Sequence, residues 1–311
     1  MHPQRVTTGW MVRIGAVRVG IVDVGANTLR LLVAAREDGR LVALREQRVQ
    51  LGLGEEIERS GALGEEKLAE AAAVARAHVR RARKLGCDHI DVLVTSPGRQ
   101  ARNGRELASV LRDATGVATK VLRPEEEGEL AWHGAVATAE YTSDSIAVCD
   151  IGGGSTQLVV GTVSSGPAWV RSVDLGSLRL TRRTLATAPP TQNDLDAARA
   201  QVDASFVGLA PPLARMAIAT GGTARALRRI VGATLEPETL ASAARKLAKR
   251  SDRAIANDYG VDRARARTLL AGTLILIEVQ RRLGIGLQVG RGGIREGAAL
   301  LALDELAEAT G

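Results

Sequence analysis

The chain has 311 residues, which exceeds what one hydrophobic core usually organises and favours two domains. Hydrophobic residues make up 45% and charged residues 25%, as in an ordinary globular protein, whereas aromatic residues reach only 2%. The shortage of aromatic side chains argues against a base-stacking nucleic-acid binder, and the formal net charge of +7 favours an anionic partner.

Charge and cysteine content leave the anion and its site open. Much of the arginine lies in runs such as 80–84 and 263–267, inside helical patterns that usually form solvated faces. Cys87 and Cys149 share no metal-ligand spacing and adjoin apolar segments, which predicts buried free thiols in a reducing cytoplasm. The N-terminus lacks the basic segment followed by a long apolar segment that is typical of a signal peptide. The apolar run 269–279 is too short to span a bilayer. We therefore expect a cytoplasmic protein with no membrane partner.

Residues 1–17 precede the first strong strand pattern and are expected to be a flexible N-terminal extension. The first half then begins with strands and continues as alternating strands and helices. The predicted elements are strands at 17–24, 29–36 and 41–49, a helix at 65–85, a strand at 91–95, a helix capped by Asn103 and ending near 115, a strand at 117–122, and a helix starting at Pro124.

The same order restarts in the second half. The predicted elements are strands at 146–150, 157–162 and 168–175, a helix at 193–207, a strand at 216–219, and helices at 223–231, 237–250, 261–283 and 294–308. Asp23-Val-Gly25 aligns with Asp150-Ile-Gly152 at an offset of about 127 residues, which places Thr28 opposite Ser155. The repeat predicts duplicated αβ halves that face one another across a ligand cleft.

Two glycine-rich turns carry the chemistry of this repeat. In VCDIGGGSTQLVVG (148–161) an apolar run ends in Asp150, and glycines and hydroxyl residues follow. Glycine lets successive backbone N–H groups line a hollow, so the predicted ligand is phosphate. Asp23 and Asp150 would repel phosphate without a cation between them, and we interpret both as partners of Mg²⁺ or of a metal-bound water. Plain strand turns are the alternative, and they explain the triple glycine less well.

Two later segments extend the pattern. ATGGTARAL (219–227) places a glycine pair and Thr223 between a strand and a helix N-terminus, where anions are favoured. GRGGIREG (290–297) places Arg291 and Arg295 around another glycine pair. The alternative for the first segment is a plain loop or a glycine helix cap that binds no ligand. The alternative for the second segment is that its arginines lie near the glycines by chance.

Six segments carry a family resemblance: DVGANTLRLLV, TSPGRQARN, PEEEGELAWHGA, DIGGGSTQLVVG, ATGGTARAL and GGIREG. In this order they closely resemble the exopolyphosphatase and guanosine pentaphosphate phosphatase family over about residues 19–297. That family belongs to the sugar kinase, actin and heat-shock chaperone superfamily. The resemblance implies an α/β fold of two ribonuclease H-like (actin-like ATPase) domains, 18–130 and 131–311, facing an interdomain cleft. It leaves open whether the last helix, 294–308, packs back on the first domain.

The resemblance also implies site residues. Glu127, in the first turn of a helix, is by this resemblance the base that activates water for attack on a terminal phosphoryl group. Asp150, with Asp23, would position Mg²⁺ or Mn²⁺, and family members are often homodimers. The phosphate-binding residues expected are Gly25, Asn27, Thr28, Arg99, Gly152, Gly153, Gly154, Ser155, Gly222 and Thr223.

The chain departs from the family pattern at two positions. Gln157 stands where the family usually has Glu, which weakens a metal site, and Ala26 stands where it usually has Ser, which removes a hydroxyl donor. The leading hypothesis is an exopolyphosphatase acting on inorganic polyphosphate. Hydrolysis of guanosine pentaphosphate (pppGpp), phosphoryl transfer by a kinase of the same superfamily, and a catalytically weak sensor of polyphosphate or alarmone are the alternatives.

Overall fold

The computed structural model describes residues 17–310, so the predicted extension at 1–17 lies outside the described residues except for Val17. The strands are β1 (Arg18–Val24), β2 (Thr28–Glu37), β3 (Arg40–Gln50), β4 (His89–Val94), β5 (Thr119–Val121), β6 (Ser145–Ile151), β7 (Thr156–Thr162), β8 (Gly166–Val173), β9 (Met216–Thr220), β10 (Thr234–Leu235) and β11 (Leu287–Val289). The helices are α1 (Leu53–Ser60), α2 (Glu65–Lys84), α3 (Ser96–Gln100), α4 (Gly104–Thr115), α5 (Pro124–Ala137), α6 (Ser177–Thr184), α7 (Gln192–Ser205), α8 (Gly221–Val231), α9 (Pro237–Ala248), α10 (Asp252–Tyr259), α11 (Arg263–Leu283) and α12 (Ile294–Thr310).

The strands form two sheets with the same plan. The first has the order β3-β2-β1-β4-β5, and the second has the order β10-β11-β9-β6-β7-β8. In each sheet three antiparallel strands are followed by two parallel strands, and the second sheet adds β10, which is antiparallel to β11. Asp23 pairs with Arg30 in the first sheet, and Asp150 pairs with Gln157 in the second. The predicted fold of two ribonuclease H-like domains is confirmed.

Helices cover both faces of each sheet, because the central strands are buried on both sides. Helices α2 and α4 pack on one face of the first sheet, and α12 packs on the other face, where Val19 and Ile21 meet Ala299 and Leu303. Helix α11 lies among those on one face of the second sheet, and α5 packs on the other. The last helix therefore rests on the first sheet.

Helices α5 and α12 cross at glycines. A side chain at Gly134 would overlap the carbonyl of Gly293, and one at Gly297 would overlap the carbonyl of Leu130. The glycines of the GGIREG segment thus allow two helix backbones to touch. The domain boundary expected at 130/131 falls inside α5, which packs as one element on the second sheet.

Several details differ from the sequence prediction. The elements that the sequence patterns missed are α1, α3, α6, α10, β10 and β11. Asn103 is the N-cap residue of α4 as predicted, but its side chain makes no capping bond, because its Oδ1 accepts from Leu63 N (2.9 Å) and its Nδ2 donates to Leu63 O (2.8 Å). Cys149 is buried as expected, whereas Cys87 is only partly buried. None of the helices between residues 17 and 310 combines the length and hydropathy that a bilayer crossing requires.

Candidate active site

A cavity lies between the two sheets and contains most of the residues predicted from sequence in its wall. Both glycine turns and the first turns of α5, α8 and α12 contribute to its wall. The predicted residues that line it are Asp23, Gly25, Asn27, Thr28, Glu127, Asp150, Gly152, Gly153, Ser155 and Gly222. The predicted residues that do not line it are Arg99, Gly154, Gln157 and Thr223.

The two glycine turns face each other and have the same geometry. Gly25 N–H donates to Thr28 O, and Gly152 N–H donates to Ser155 O, both at 3.0 Å. A Cβ built on Gly153 would lie 3.1 Å from Ala26 Cβ, so the turns are in contact across the cleft. The N–H groups of Gly25 and Gly152 are therefore used within their turns.

The remaining amides of the turns are free to bind an anion. The N–H groups of Ala26, Asn27 and Gly153 donate to no acceptor within residues 17–310. All three residues line the cavity. Unpaired amides at the wall of a cavity form the kind of hollow that binds phosphate oxygens.

Glu127 enters the cavity from the first turn of α5, where the residue is 3% exposed. A Cβ on the adjacent Gly128 would lie 2.8 Å from Val170 Cγ1, so glycine lets α5 approach the second sheet. Burial raises the pKa of Glu127 to about 7, although Arg99 lowers it, and the charges of Asp150 and Asp23 raise it further. A carboxyl group with a pKa near neutrality is suited to accept a proton from water.

Arg99 holds this carboxylate. Its Nη2 lies 2.6 Å from Glu127 Oε2, and its Nη1 donates to Leu122 O at 2.6 Å. Both terminal nitrogens of the guanidinium therefore bind protein groups, and the side chain does not line the cavity. The position of Arg99 favours a role in orienting Glu127. It does not favour the direct phosphate contact that was expected from sequence.

The neighbouring Glu126 has a structural environment. Its carboxylate accepts from the backbone N–H of Arg123, the N-cap residue, at 2.8 Å, which gives this amide at the start of α5 a partner. Burial raises the pKa of Glu126, but the hydrogen bonds from Arg123 and Lys120 outweigh it and hold the pKa at about 2. Adjacent glutamates thus have opposite pKa shifts, because burial dominates at Glu127 whereas hydrogen bonds outweigh burial at Glu126.

Asp23 and Asp150 lie at the cavity wall together with Glu127 and Glu296, which gives four carboxyl groups. Thr220 Oγ1 donates to Asp150 Oδ1 at 2.8 Å. Burial raises the pKa of both aspartates, and Arg30 lowers the pKa of Asp23 in part. Acids that disfavour one another's ionisation are suited to a bound cation.

Gly154 and Thr223 have packing roles. Gln100 Nε2 donates to Gly154 O at 3.0 Å, and a Cβ on Gly154 would lie 2.6 Å from Ser96 Oγ. Gly154 therefore joins the second glycine turn to α3. Thr223 is wholly buried and lies against Gly272 of α11. Neither residue faces the cavity, so phosphate contact by the Thr223 hydroxyl has no support from its position.

Arginines that sequence reasoning missed line the same cavity. These are Arg30, Arg225 and Arg265, together with Arg295, which the sequence had noted. Burial lowers the pKa of Arg30 and of Arg265 to about 10, and neighbouring arginines lower both further. Positive charges that lower one another's pKa are stabilised by an anionic ligand. The expectation that the run 263–267 forms only a solvated face is wrong for Arg265.

A second cavity adjoins the first and shares six lining residues with it: Arg30, Gly222, Arg225, Arg265, Arg295 and Glu296. Arginines dominate its wall: Arg30, Arg48, Arg225, Arg229, Arg265, Arg291 and Arg295. The acids that line it are Glu46, Asp262 and Glu296. The two cavities together form a basic channel that starts at the carboxylates.

Comparisons with known proteins agree with this architecture. The model of the Ppx/GppA phosphatase family matches residues 32–306. Exopolyphosphatase 1 of Mycobacterium tuberculosis (strain ATCC 25618 / H37Rv) is 30% identical over 312 residues, which cover 94% of this chain and 90% of the relative. Exopolyphosphatase 1 of Mycobacterium leprae (strain TN) is 30% identical over 318 residues, which cover 94% of this chain and 92% of the relative.

Solved structures share the fold. An exopolyphosphatase from Cytophaga hutchinsonii ATCC 33406 superposes with a TM-score of 0.84 at 20% identity, covering 93% of this chain and 98% of that one. The Aquifex aeolicus member of the Ppx/GppA family superposes with a TM-score of 0.79 at 22% identity, covering 95% and 99%. The extent of the family match establishes that the chain belongs to the Ppx/GppA phosphatase family.

Proposed function

We propose that this protein is an exopolyphosphatase that hydrolyses the terminal phosphate of inorganic polyphosphate. The observation that carries the proposal is the arginine-lined channel that continues from the cavity containing Glu127. A linear polyanion needs many cationic contacts beyond the reacting group, and the channel offers them. The relatives called Exopolyphosphatase 1 support the same substrate.

In the proposed reaction, the terminal phosphoryl group binds against the free amides of the two glycine turns. Glu127 accepts a proton from a water molecule as the water oxygen attacks phosphorus, and the bond to the bridging oxygen breaks. The products are inorganic phosphate and a polyphosphate shorter by one phosphate. Arg99 keeps the Glu127 carboxylate oriented through its 2.6 Å ion pair.

Asp150 and Asp23 would hold Mg²⁺, or Mn²⁺ in its place. No group of three or more His, Cys, Asp or Glu that could cage a metal occurs in residues 17–310. Two carboxylates still fit Mg²⁺, which usually binds one or two carboxylates together with substrate phosphates and waters. When bound, the ion would neutralise charge on the phosphate oxygens.

The same carboxylates could serve the hydrolysis of pppGpp, which differs from inorganic polyphosphate because it carries a guanosine. Among the described residues, no aromatic side chain lines either cavity, so neither offers a stacking surface for a base. Seven arginines around the channel suit successive phosphates better than a nucleoside. The lining therefore favours polyphosphate over pppGpp.

The test is phosphate release from polyphosphate of short and long chain length and from pppGpp, each with and without Mg²⁺. We expect a higher kcat/KM on polyphosphate, with loss of activity when the metal is chelated. A higher kcat/KM on pppGpp would overturn the substrate assignment. Tight binding of polyphosphate without phosphate release would instead identify a sensor.

A further inference from the structure

A row of polar side chains crosses four neighbouring strands of the second sheet. Strand register places Thr220 beside Asp150, Asp150 beside Gln157, and Gln157 beside Ser172. Directly opposed residues of adjacent strands project on the same face of a sheet. Gln157 thus lies on the face of Asp150, one strand farther from the cleft, and it is wholly buried.

The amide group of Gln157 determines how two hydroxyl groups are used. Its Nε2 donates to Ser155 Oγ and to Ser172 Oγ, both at 3.1 Å, whereas its Oε1 has no partner within residues 17–310. Both serine oxygens therefore act as acceptors toward Gln157. A hydroxyl that accepts in this way still has one hydrogen to donate.

The hydrogen of Ser155 is available to a ligand. Ser155 Oγ donates to no acceptor in the part of the chain that the structure describes. Ser155 lines the first cavity, and its side chain is almost fully buried there. Without a protein acceptor, the O–H group is left to donate to a group inside the cavity.

We propose that Gln157 is a positioning residue that turns the Ser155 hydroxyl into a hydrogen-bond donor to phosphate. The inference rests on the proposed function, since it takes phosphate as the ligand of this turn. A carboxylate at position 157 could only accept, and it would draw the Ser155 hydrogen away from the cavity. The amide therefore sets the direction of the hydrogen bond between Ser155 and the ligand.

A double-mutant cycle tests the inference through the binding of inorganic phosphate. Calorimetry on the full chain at saturating Mg²⁺ would compare the wild type with Gln157→Met, Ser155→Ala and the double variant. Loss of a hydrogen bond to a charged ligand should weaken phosphate binding about tenfold in Ser155→Ala. Gln157→Met should weaken it roughly fivefold in the wild type and leave it unchanged in the Ser155→Ala background.

Ser172→Ala is the matched control, because it removes the other acceptor of Gln157 Nε2 and leaves Ser155 in place. It should keep phosphate affinity within about twofold. Gln157→Asn, whose shorter side chain withdraws the amide, replaces Gln157→Met if that variant does not fold. Equal losses from Gln157→Met in both backgrounds, or no loss in the wild type, would overturn the role of Gln157 alone. Failure of the wild type to bind phosphate would overturn the proposed function as well.

Discussion

Arg99 Nη2 lies 2.6 Å from Glu127 Oε2, and this ion pair joins α3 to the helix that carries the proposed base. The Glu127 side chain is only 4% exposed, so solvent screens the pair weakly. The charge of Arg99 opposes the burial that raises the pKa of Glu127. Arg99 therefore increases the fraction of Glu127 that is ionised near neutral pH.

Replacement of the base gives the first prediction. Glu127→Gln keeps the shape of the side chain but cannot accept a proton, so kcat for phosphate release should fall by roughly 10²–10⁴ with little change in KM. Glu125→Gln is the matched control, because Glu125 is exposed on the same helical turn. Near wild-type kcat in Glu127→Gln would remove Glu127 from the mechanism.

The second prediction concerns pH. The pKa of Glu127 is raised to about 7, and a base acts only when it is ionised. We therefore expect kcat/KM to rise with pH through about 7 and to fall roughly tenfold per unit below that value. Initial rates between about pH 5.5 and 8.5 at constant ionic strength would measure this profile. A profile that is flat across neutrality contradicts the assignment.

The third prediction changes the same profile through Arg99. Arg99→Met removes the cation that lowers the pKa of Glu127, so the midpoint of the pH profile should move to higher pH by about one to three units. Arg99→Lys should restore part of the shift because it restores the charge. Arg105→Met, at an exposed position of α4, is the control. Loss of rate with an unmoved midpoint would point to direct phosphate binding by Arg99.

Local sequence was sufficient for features that depend on neighbours in the chain. The Asp150 turn could be predicted because glycines and a carboxylate adjoin within one segment. Arg30 was missed because its place opposite Asp23 depends on the register of β1 and β2 across the turn. Thr223 was assigned to phosphate although it lies one residue beyond Gly222, and about 100° of helical rotation turns it from the cavity into the core.

Elements stabilised by distant partners were the hardest to predict. Helix α6 reads as polar and basic, yet Arg179 in it is buried because its Nε donates to Glu58 of α1 at 2.5 Å. Arg183 Nε binds the same carboxylate at 2.9 Å. Both helices are short, and their pairing crosses the two halves of the chain. No periodic pattern within either segment contains that information.

The fourth prediction separates long from short substrates. Arg229 lines only the second cavity, so Arg229→Gln should raise KM for long polyphosphate roughly threefold to fivefold and leave KM for tripolyphosphate unchanged. Arg228→Gln is the matched control, because Arg228 is exposed on the same helix and lines neither cavity. Steady-state kinetics at two salt concentrations would measure the effect, which should shrink as salt screens the charge. An equal rise of KM in Arg228→Gln would show that the effect comes from net charge and not from the second cavity.

The fifth prediction tests the backbone next to Asp150. Gly221 has a φ of +87°, and a Cβ there would lie 2.7 Å from Ile151 O and 2.8 Å from Asp150 Oδ1. Gly221→Ala should therefore displace the Asp150 carboxylate and lower both stability and activity, with a higher Mg²⁺ requirement. Gly232→Ala is the matched control, because Gly232 has a φ of +98° and nothing within 4 Å of the added Cβ.

Both variants should lose about 1–3 kcal/mol of unfolding free energy from the strained backbone. Only Gly221→Ala should raise the Mg²⁺ concentration that gives half-maximal phosphate release, because only its new methyl group reaches the Asp150 carboxylate. Denaturant unfolding and metal titrations of phosphate release would measure the two effects separately. An unchanged Mg²⁺ requirement in a folded Gly221→Ala protein would mean that Asp150 does not hold the ion, because a displaced carboxylate cannot keep its metal geometry.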